Sequence, residues 1–154
     1  MQQALFDEGQ VNASNALNPA LPEGLVYQPA FLSAQEQADL LAFIEHQPWL
    51  DDLKRRVQHY GYKYDYRARA IDQNYHLGPL PLLLADIGQR LYRQHLLDAI
   101  PDQAIINEYM PGQGITRHID CEPCFTDYIA SVSLCAPILM ELTPVDNKSI
   151  QAPV

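Results

Sequence analysis

Apolar and polar positions change rhythm along the chain. From Phe31, the run FLSAQEQADLLAFIEHQPW places Leu40, Leu41 and Ile44 on one helical face. Ser33 with Glu36 three residues on has the form of a capping box, and Pro48 marks the stop, so a capped helix is predicted here. A second helix is predicted from about Leu80 to Leu97, where Leu80, Leu83, Leu84, Ile87 and Leu91 recur at helical spacing. After Pro101 the period drops to two. β-Branched and aromatic residues alternate with polar ones in QAIINEY, GITRHID, DYIASVSLC and ILMEL, separated by Gly, Pro and Asp. The pattern predicts antiparallel sheet over the C-terminal third and an α+β fold. Leu25 to Tyr27 is a candidate first strand. Residues 1–24, polar and broken by Pro19, Pro22 and Gly24, read as a flexible tail ahead of a domain over 25–154.

Composition narrows this only slightly. A chain of 154 residues, 47% hydrophobic and 19% charged, is long enough for one domain with its own core. Its longest apolar runs, such as LPLLLADIG, are too short to span a bilayer, and MQQALFDEGQ lacks a basic flank followed by an apolar core. A cytoplasmic protein with no membrane partner is the simplest expectation. Three cysteines without a secretory signal argue for reduced thiols. The chain passes through the polar turn TPVDNKS and stops at IQAPV, which resembles the start of a further strand; a fragment with an open sheet edge is expected. Nothing in the pattern specifies an oligomeric state.

The net charge of −9 opposes long-range attraction to nucleic acid, but it is unevenly spread. Six of the ten basic residues, Lys54, Arg55, Arg56, Lys63, Arg67 and Arg69, share sixteen positions with one acid, Asp65. The same band carries Tyr60, Tyr62, Tyr64 and Tyr66 at every second position, which on one strand would share a face. Arginine with aromatics suits phosphate contact and base stacking. A solvated strand whose tyrosines pack on a core suits the same pattern.

The chemistry-bearing segment is NEYMPGQGITRHID. His118 and Asp120 stand two apart, so on a strand they project from one face. An imidazole and a carboxylate so placed can hold two adjacent positions of a metal, and a second histidine would complete the 2-His-1-carboxylate set that suits non-haem Fe(II). A surface hydrogen bond between the two is the plainer alternative. Asn107 and Tyr109, also two apart, are expected on a strand that the MPGQG turn folds back beside the His118 strand, where both side chains can donate to a carboxylate.

Read together, N-x-Y-x-P-G-x-G-I-x-x-H-x-D with Phe125, Ile129, Ser133 and Leu134 closely resembles the AlkB-like family of Fe(II)- and 2-oxoglutarate-dependent dioxygenases. YQPAFLSAQEQADLLAFIEHQPW and VQHYGYKYDY extend the resemblance upstream, so that it covers most of residues 25–142. The resemblance implies a double-stranded β-helix, or jelly roll, with flanking N-terminal helices and, in this chain, a barrel incomplete at the C-terminus. It implies His118 and Asp120 as iron ligands and Asn107 and Tyr109 as contacts to 2-oxoglutarate. It implies substrate contacts at Glu122, whose other reading is a solvated turn carboxylate, and near Tyr64, Tyr66, Arg67 and Arg69. The implied reaction is oxidative dealkylation of alkylated DNA or RNA bases, protein being a further substrate class, with 2-oxoglutarate converted to succinate and carbon dioxide.

The chain departs from the family in one respect. No histidine follows His118, and Lys148 is the only cation after it, so the second histidine ligand and the arginine for the distal co-substrate carboxylate are both missing. His46, His59, His76 and His95 precede the motif and read as surface or core residues. The 154-residue chain alone is therefore expected to be inactive. Two further readings concern C-E-P-C. His118, Cys121 and Cys124 with Cys135 or Asp120 form a candidate zinc set, and Cys121 with Cys124 a candidate redox pair, although a strand-like rather than helical sequence follows. A non-catalytic nucleic-acid-binding module using the basic tyrosine-rich band is the remaining alternative.

Overall fold

A computed structural model of the chain describes residues 22–51, 53–121 and 124–143. The chain divides into two units, Met1–Phe31 and Leu32–Val154. In the first, Leu25 N–H donates to the Pro22 carbonyl at 3.0 Å across a turn in which Gly24 holds φ +84°. Leu25 to Tyr27 forms no strand and is exposed. Three residues without a pairing partner gain no ladder hydrogen bonds, so the expected first strand does not form.

The second unit opens with helix α1, Ala34–Glu45. The capping box is complete: Ser33 Oγ accepts from Glu36 N–H at 3.3 Å, and Glu36 Oε2 accepts from Ser33 N–H at 2.8 Å. Leu40 and Ile44 are buried on its inner face. The helix stops at the His46 cap, because Pro48 disfavours helical backbone at the residue before it. Helix α2, Leu82–Arg93, starts behind Pro81 and buries Leu84, Gly88 and Leu91. It ends short of the predicted Leu97 because His95 turns to φ +57°. Arg90 Nη2 donates to Glu36 Oε1 at 2.7 Å and links α2 to the start of α1.

Four strands form two antiparallel pairs. Strand β1, Arg56–Tyr60, pairs with β4, Ala104–Glu108, in a register that sets Val57 opposite Asn107. On its other side Val57 exchanges both backbone hydrogen bonds with Leu50, at 2.9 and 3.0 Å. Flanked on both edges, Val57 is fully buried. Strand β2, Tyr62–Asp65, pairs with β3, Ala70–His76, with a register shift between Tyr62 and Tyr64. The buried Gln58 bridges β1 to the end of α1: its Nε2 donates to the Ile44 carbonyl at 2.9 Å, and its Oε1 accepts from Tyr60 O–H at 2.8 Å. Leu32, Leu40, Ile44, Val57, Leu84, Leu91 and Cys121 make up the buried apolar set among the described residues.

Gly61 separates β1 from β2. It holds φ +76°, and a Cβ there would lie 1.8 Å from the Asp102 carbonyl oxygen, so only glycine fits the approach. The break corrects the expectation of one strand carrying four tyrosines on a single face.

Beyond Glu108 no strand forms among the described residues. QAIINEY forms a strand over Ala104–Glu108, which leaves Tyr109 just past its end, but GITRHID, DYIASVSLC and ILMEL form none. Alternation prepares a segment for pairing without supplying a partner, and β4 has taken β1 as its own. Two helices and two small antiparallel sheets result, with no closed barrel among the described residues.

Candidate functional site

The register of β1 with β4 builds the first part of the site. Arg56 pairs with Glu108 through two hydrogen bonds of 2.6 Å and lies 4.7 Å from the Trp49 ring centroid. Those bonds hold the Glu108 carboxyl below its ordinary range. One residue earlier, Arg55 Nε donates to Asn107 Oδ1 at 2.7 Å, and its guanidinium lies 5.8 Å from the Tyr109 ring centroid and 5.9 Å from that of Tyr66. Arg55 thus joins both expected co-substrate residues to the tyrosine band. Because Asn107 Oδ1 accepts from Arg55, its Nδ2 group is left to donate. In the sequence Arg55 stands out only as one of the basic residues of the band. Its role depends on a contact between positions 52 apart, which no local pattern announces.

The tyrosines divide between two environments. Tyr60 packs on Phe43 at a ring separation of 5.8 Å and serves Gln58. Tyr64 and Tyr66 meet edge to face at 5.0 Å, Tyr66 lies 5.8 Å from the His59 ring, and Tyr64 lies 5.6 Å from Phe125. Burial pushes the Tyr66 phenol above its usual range. Asp65, the single acid of the band, accepts from Ala68 N–H at 2.9 Å and Arg67 N–H at 2.8 Å, and these bonds lower its carboxyl. It shapes the turn between β2 and β3, where Arg67 and Arg69 stand exposed, with Lys63 exposed on β2 just before it. Arg55, Arg56 and, through the Ile119 carbonyl, Arg69 are engaged within the molecule, so the basic band is narrower in space than in sequence.

The second part of the site is the His118 segment. It does not pair with β4, which corrects the expected hairpin, yet His118 and Asp120 still meet. His118 Nε2 lies 3.3 Å from Asp120 Oδ1, and His118 Nδ1 lies 2.8 Å from the Thr116 carbonyl. A carbonyl only accepts, so this contact assigns a proton to Nδ1 and, in the neutral ring, leaves the lone pair on Nε2. Two lone-pair-bearing atoms at that separation repel unless a proton or a cation sits between them. An imidazole nitrogen oriented through its other ring nitrogen, beside a carboxylate oxygen, has room for a shared proton or for a cation.

No third donor joins the pair: among the described residues no group of three His, Cys, Asp or Glu converges. His46 Nδ1 lies 2.6 Å from the Ala42 carbonyl, His59 lies in β1, His76 stacks near Tyr62 at 4.8 Å, and His95 is exposed at the end of α2. Glu122 lies outside the described residues.

Cys121 and Cys124 form a disulfide, with Cα atoms 5.2 Å apart, whereas Cys135 is free and exposed. This corrects the expectation of three reduced thiols, which rested on count and compartment and ignored that a three-residue turn brings two sulfurs within bonding reach. Bonded to each other, these sulfurs supply no thiolates for the zinc set considered above. Both sulfurs lie against Arg69, whose carbonyl is 3.0 Å from Cys121 Sγ and 3.4 Å from Cys124 Sγ. The Arg69 guanidinium donates to the Ile119 carbonyl at 3.0 Å, immediately before Asp120.

Comparison with known proteins bears on what this arrangement serves. The model of the 2OG-Fe(II) oxygenase superfamily matches residues 44–152, a span holding Asn107, Tyr109, His118 and Asp120. An Arabidopsis thaliana protein named alkylated DNA repair protein ALKBH8 homolog is 39% identical over 123 residues, covering 77% of this chain and 36% of that protein. The Mus musculus tRNA (carboxymethyluridine(34)-5-O)-methyltransferase ALKBH8 is 34% identical over 143 residues, covering 86% of this chain and 21% of that protein. Uncharacterized protein L905 of Acanthamoeba polyphaga mimivirus is 31% identical over 115 residues, covering 72% of this chain and 52% of that protein. The chain therefore spans about a third of the plant relative and about a fifth of the mouse one.

Proposed function

The chain belongs to the 2OG-Fe(II) oxygenase superfamily as an AlkB-like member, and on that premise we propose that it carries the iron- and co-substrate-binding edge of an Fe(II)/2-oxoglutarate dioxygenase acting on alkylated bases of nucleic acid. The observation that carries this reading is the His118–Asp120 pair, with Nε2 and Oδ1 3.3 Å apart and Nδ1 held by the Thr116 carbonyl. In the proposed jelly-roll setting, His118 and Asp120 would take two adjacent positions on Fe(II). Asn107 and Tyr109 would donate to the 2-oxoglutarate carboxylate, with Arg55 fixing which way the Asn107 amide faces. In a complete site, bound Fe(II) with 2-oxoglutarate and dioxygen would supply the oxidation of an N-alkyl carbon, with 2-oxoglutarate going to succinate and carbon dioxide and the alkyl carbon leaving as an aldehyde.

Among the described residues His118 and Asp120 suit iron at two positions and no third donor joins them. The chain alone is proposed to be inactive. Nucleic acid as the substrate class draws support from the names of the plant and mouse relatives, one concerned with alkylated DNA and the other with tRNA.

Mn(II), a paramagnetic substitute for Fe(II), tests the metal edge. Titration into the 15N-labelled chain is expected to broaden the amide signals of residues 116–121, with the effect lost in His118→Ala and Asp120→Ala. Broadening that ignores both substitutions would refute the assignment. Succinate formation by the purified chain with Fe(II), 2-oxoglutarate and alkylated single-stranded DNA or tRNA would overturn the proposed inactivity.

A binding-module reading is favoured by the exposure of Lys63, Arg67 and Arg69 around one turn. It expects metal-independent, salt-sensitive binding of single-stranded RNA that weakens in Arg67→Ala.

A further inference from the structure

Arg69 contacts the loop that carries Asp120 in two ways. Its guanidinium donates to the Ile119 carbonyl at 3.0 Å, and its own carbonyl lies against both sulfurs of the Cys121–Cys124 disulfide at 3.0 and 3.4 Å. Arg69 holds φ +49°, a left-handed conformation that a side-chain-bearing residue rarely adopts. Contacts at both its ends keep it there. Cys121 is buried and Cys124 half-buried, so Cys124 is the more accessible of the two residues. Phe125, next in the chain, packs on Tyr64 of β2 at 5.6 Å. The loop after Asp120 and the basic turn between β2 and β3 are thus joined at three points within a few residues of the disulfide.

We propose that Cys121 and Cys124 form a reversible dithiol–disulfide site whose oxidised form latches the basic turn at Arg69 to the His118–Asp120 edge. The reagents are a dithiol reductant for opening and a low-molecular-weight disulfide for closing. On opening, a reductant thiolate attacks Cys124 Sγ, the sulfur of the more accessible residue. The S–S bond breaks, and its electron pair leaves on Cys121 Sγ, which takes up a proton. The second reductant thiolate then attacks the reductant sulfur of the mixed disulfide, forming the reductant's own disulfide and releasing Cys124, which is protonated in turn. Two electrons pass from the dithiol to the protein. Closing is the reverse exchange, with the small disulfide reduced to two thiols. Reduction replaces the ring closed by the S–S bond with two weak S–H donors facing the Arg69 carbonyl. The support beneath Arg69 and Ile119 then loosens together. Neither iron nor 2-oxoglutarate enters this inference, which goes beyond the oxygenase reading and stands or falls apart from it.

The test uses the full chain carrying Cys135→Ser, which removes the free exposed thiol. It is equilibrated in glutathione and glutathione disulfide, with pairing read by alkylation and mass spectrometry. Wild-type chain with Cys135 blocked by iodoacetamide in the oxidised state serves equally if the variant does not fold. Hydrogen–deuterium exchange is then compared between the oxidised and dithiothreitol-reduced forms. The expected result is oxidation of Cys121 and Cys124 as a pair, with reduction raising exchange several-fold in peptides spanning both 62–76 and 115–128 while 34–45 is unchanged. Arg69→Ala, which removes the guanidinium bond to Ile119 but keeps the carbonyl against the sulfurs, should raise exchange over 115–128 in the oxidised form and leave a smaller redox response over 62–76. Two thiols that remain unpaired in glutathione disulfide, or a response confined to 115–128, would overturn the latch.

Discussion

Residues 32–108 and 109–143 are both rich in Ile, Leu and Val, yet only the first stretch turns them inward. Val57 is 0% exposed between two neighbouring segments, whereas Leu139, in an alternating run of equal apparent quality, is 89% exposed. The difference lies in the neighbours. Val57 meets Leu50 on one edge and Asn107 on the other, while the segment around Leu139 forms no strand. Period-two alternation thus has value only where a second strand satisfies the backbone and covers the apolar face. The His118 segment stands between these extremes: it lies outside any strand but is held to the ordered part through Arg69 and Phe125.

The contrast can be broken most severely at Gly61. Gly61→Val places a Cβ 1.8 Å from the Asp102 carbonyl at φ +76° and is expected to cost about 3 kcal/mol or more, or to prevent folding, by urea denaturation. Gly112→Ala, at a similar φ of +82° but with open space around it, should cost only about 1 kcal/mol. Equal losses at the two glycines would show that backbone conformation, not close approach, distinguishes the regions.

Gln58→Ala should follow, at about 2 kcal/mol, since it strips the buried Ile44 carbonyl of a donor and Tyr60 O–H of its acceptor. Gln58→Glu should be worse, because it sets a carboxylate beside that carbonyl.

A smaller effect is expected at Glu36. Its carboxyl is lowered from 4.5 to about 2, chiefly by the Ser33 N–H and then by Arg90. Glu36 binds its proton more weakly folded than unfolded, so its contribution is complete above about pH 4.5 and is lost as pH falls towards 2. The urea midpoints of wild type and Glu36→Gln should differ at pH 7 and converge across that window; a gap that widens on acidification would contradict the capping account.

The least effect is expected from the pair Arg117–Glu141, 3.3 Å apart with side chains 71% and 65% exposed. Arg117→Ala should change stability by less than about 0.5 kcal/mol. A larger loss would mean that the later stretch is better anchored than its exposure suggests.

Legibility followed sequence distance. The α1 capping box, built from Ser33 and Glu36, was readable because its partners are three apart and its geometry is set by one helical turn. The same holds for the α2 face at Leu84 and Leu91, and for the approach of His118 to Asp120. The single-face tyrosine ladder failed because Gly61 breaks the strand against Asp102, forty-one residues on. Reduced cysteines failed because a count of three says nothing about a turn that closes two of them.

By itself, then, the sequence determined what short-range forces decide: both helices, the proximity of His118 to Asp120, and the spaced motif that identified an AlkB-like oxygenase. Only the tertiary structure decided that β4 pairs with β1, that Arg55 rather than a neighbouring cation reaches Asn107 and Tyr109, and that Arg69 bridges the basic turn to the cysteine pair. The physical reason is that local contacts close small loops whose geometry a few dihedral angles dictate. A contact across some fifty residues forms only when collapse of the whole unit offsets the entropy of closing the chain.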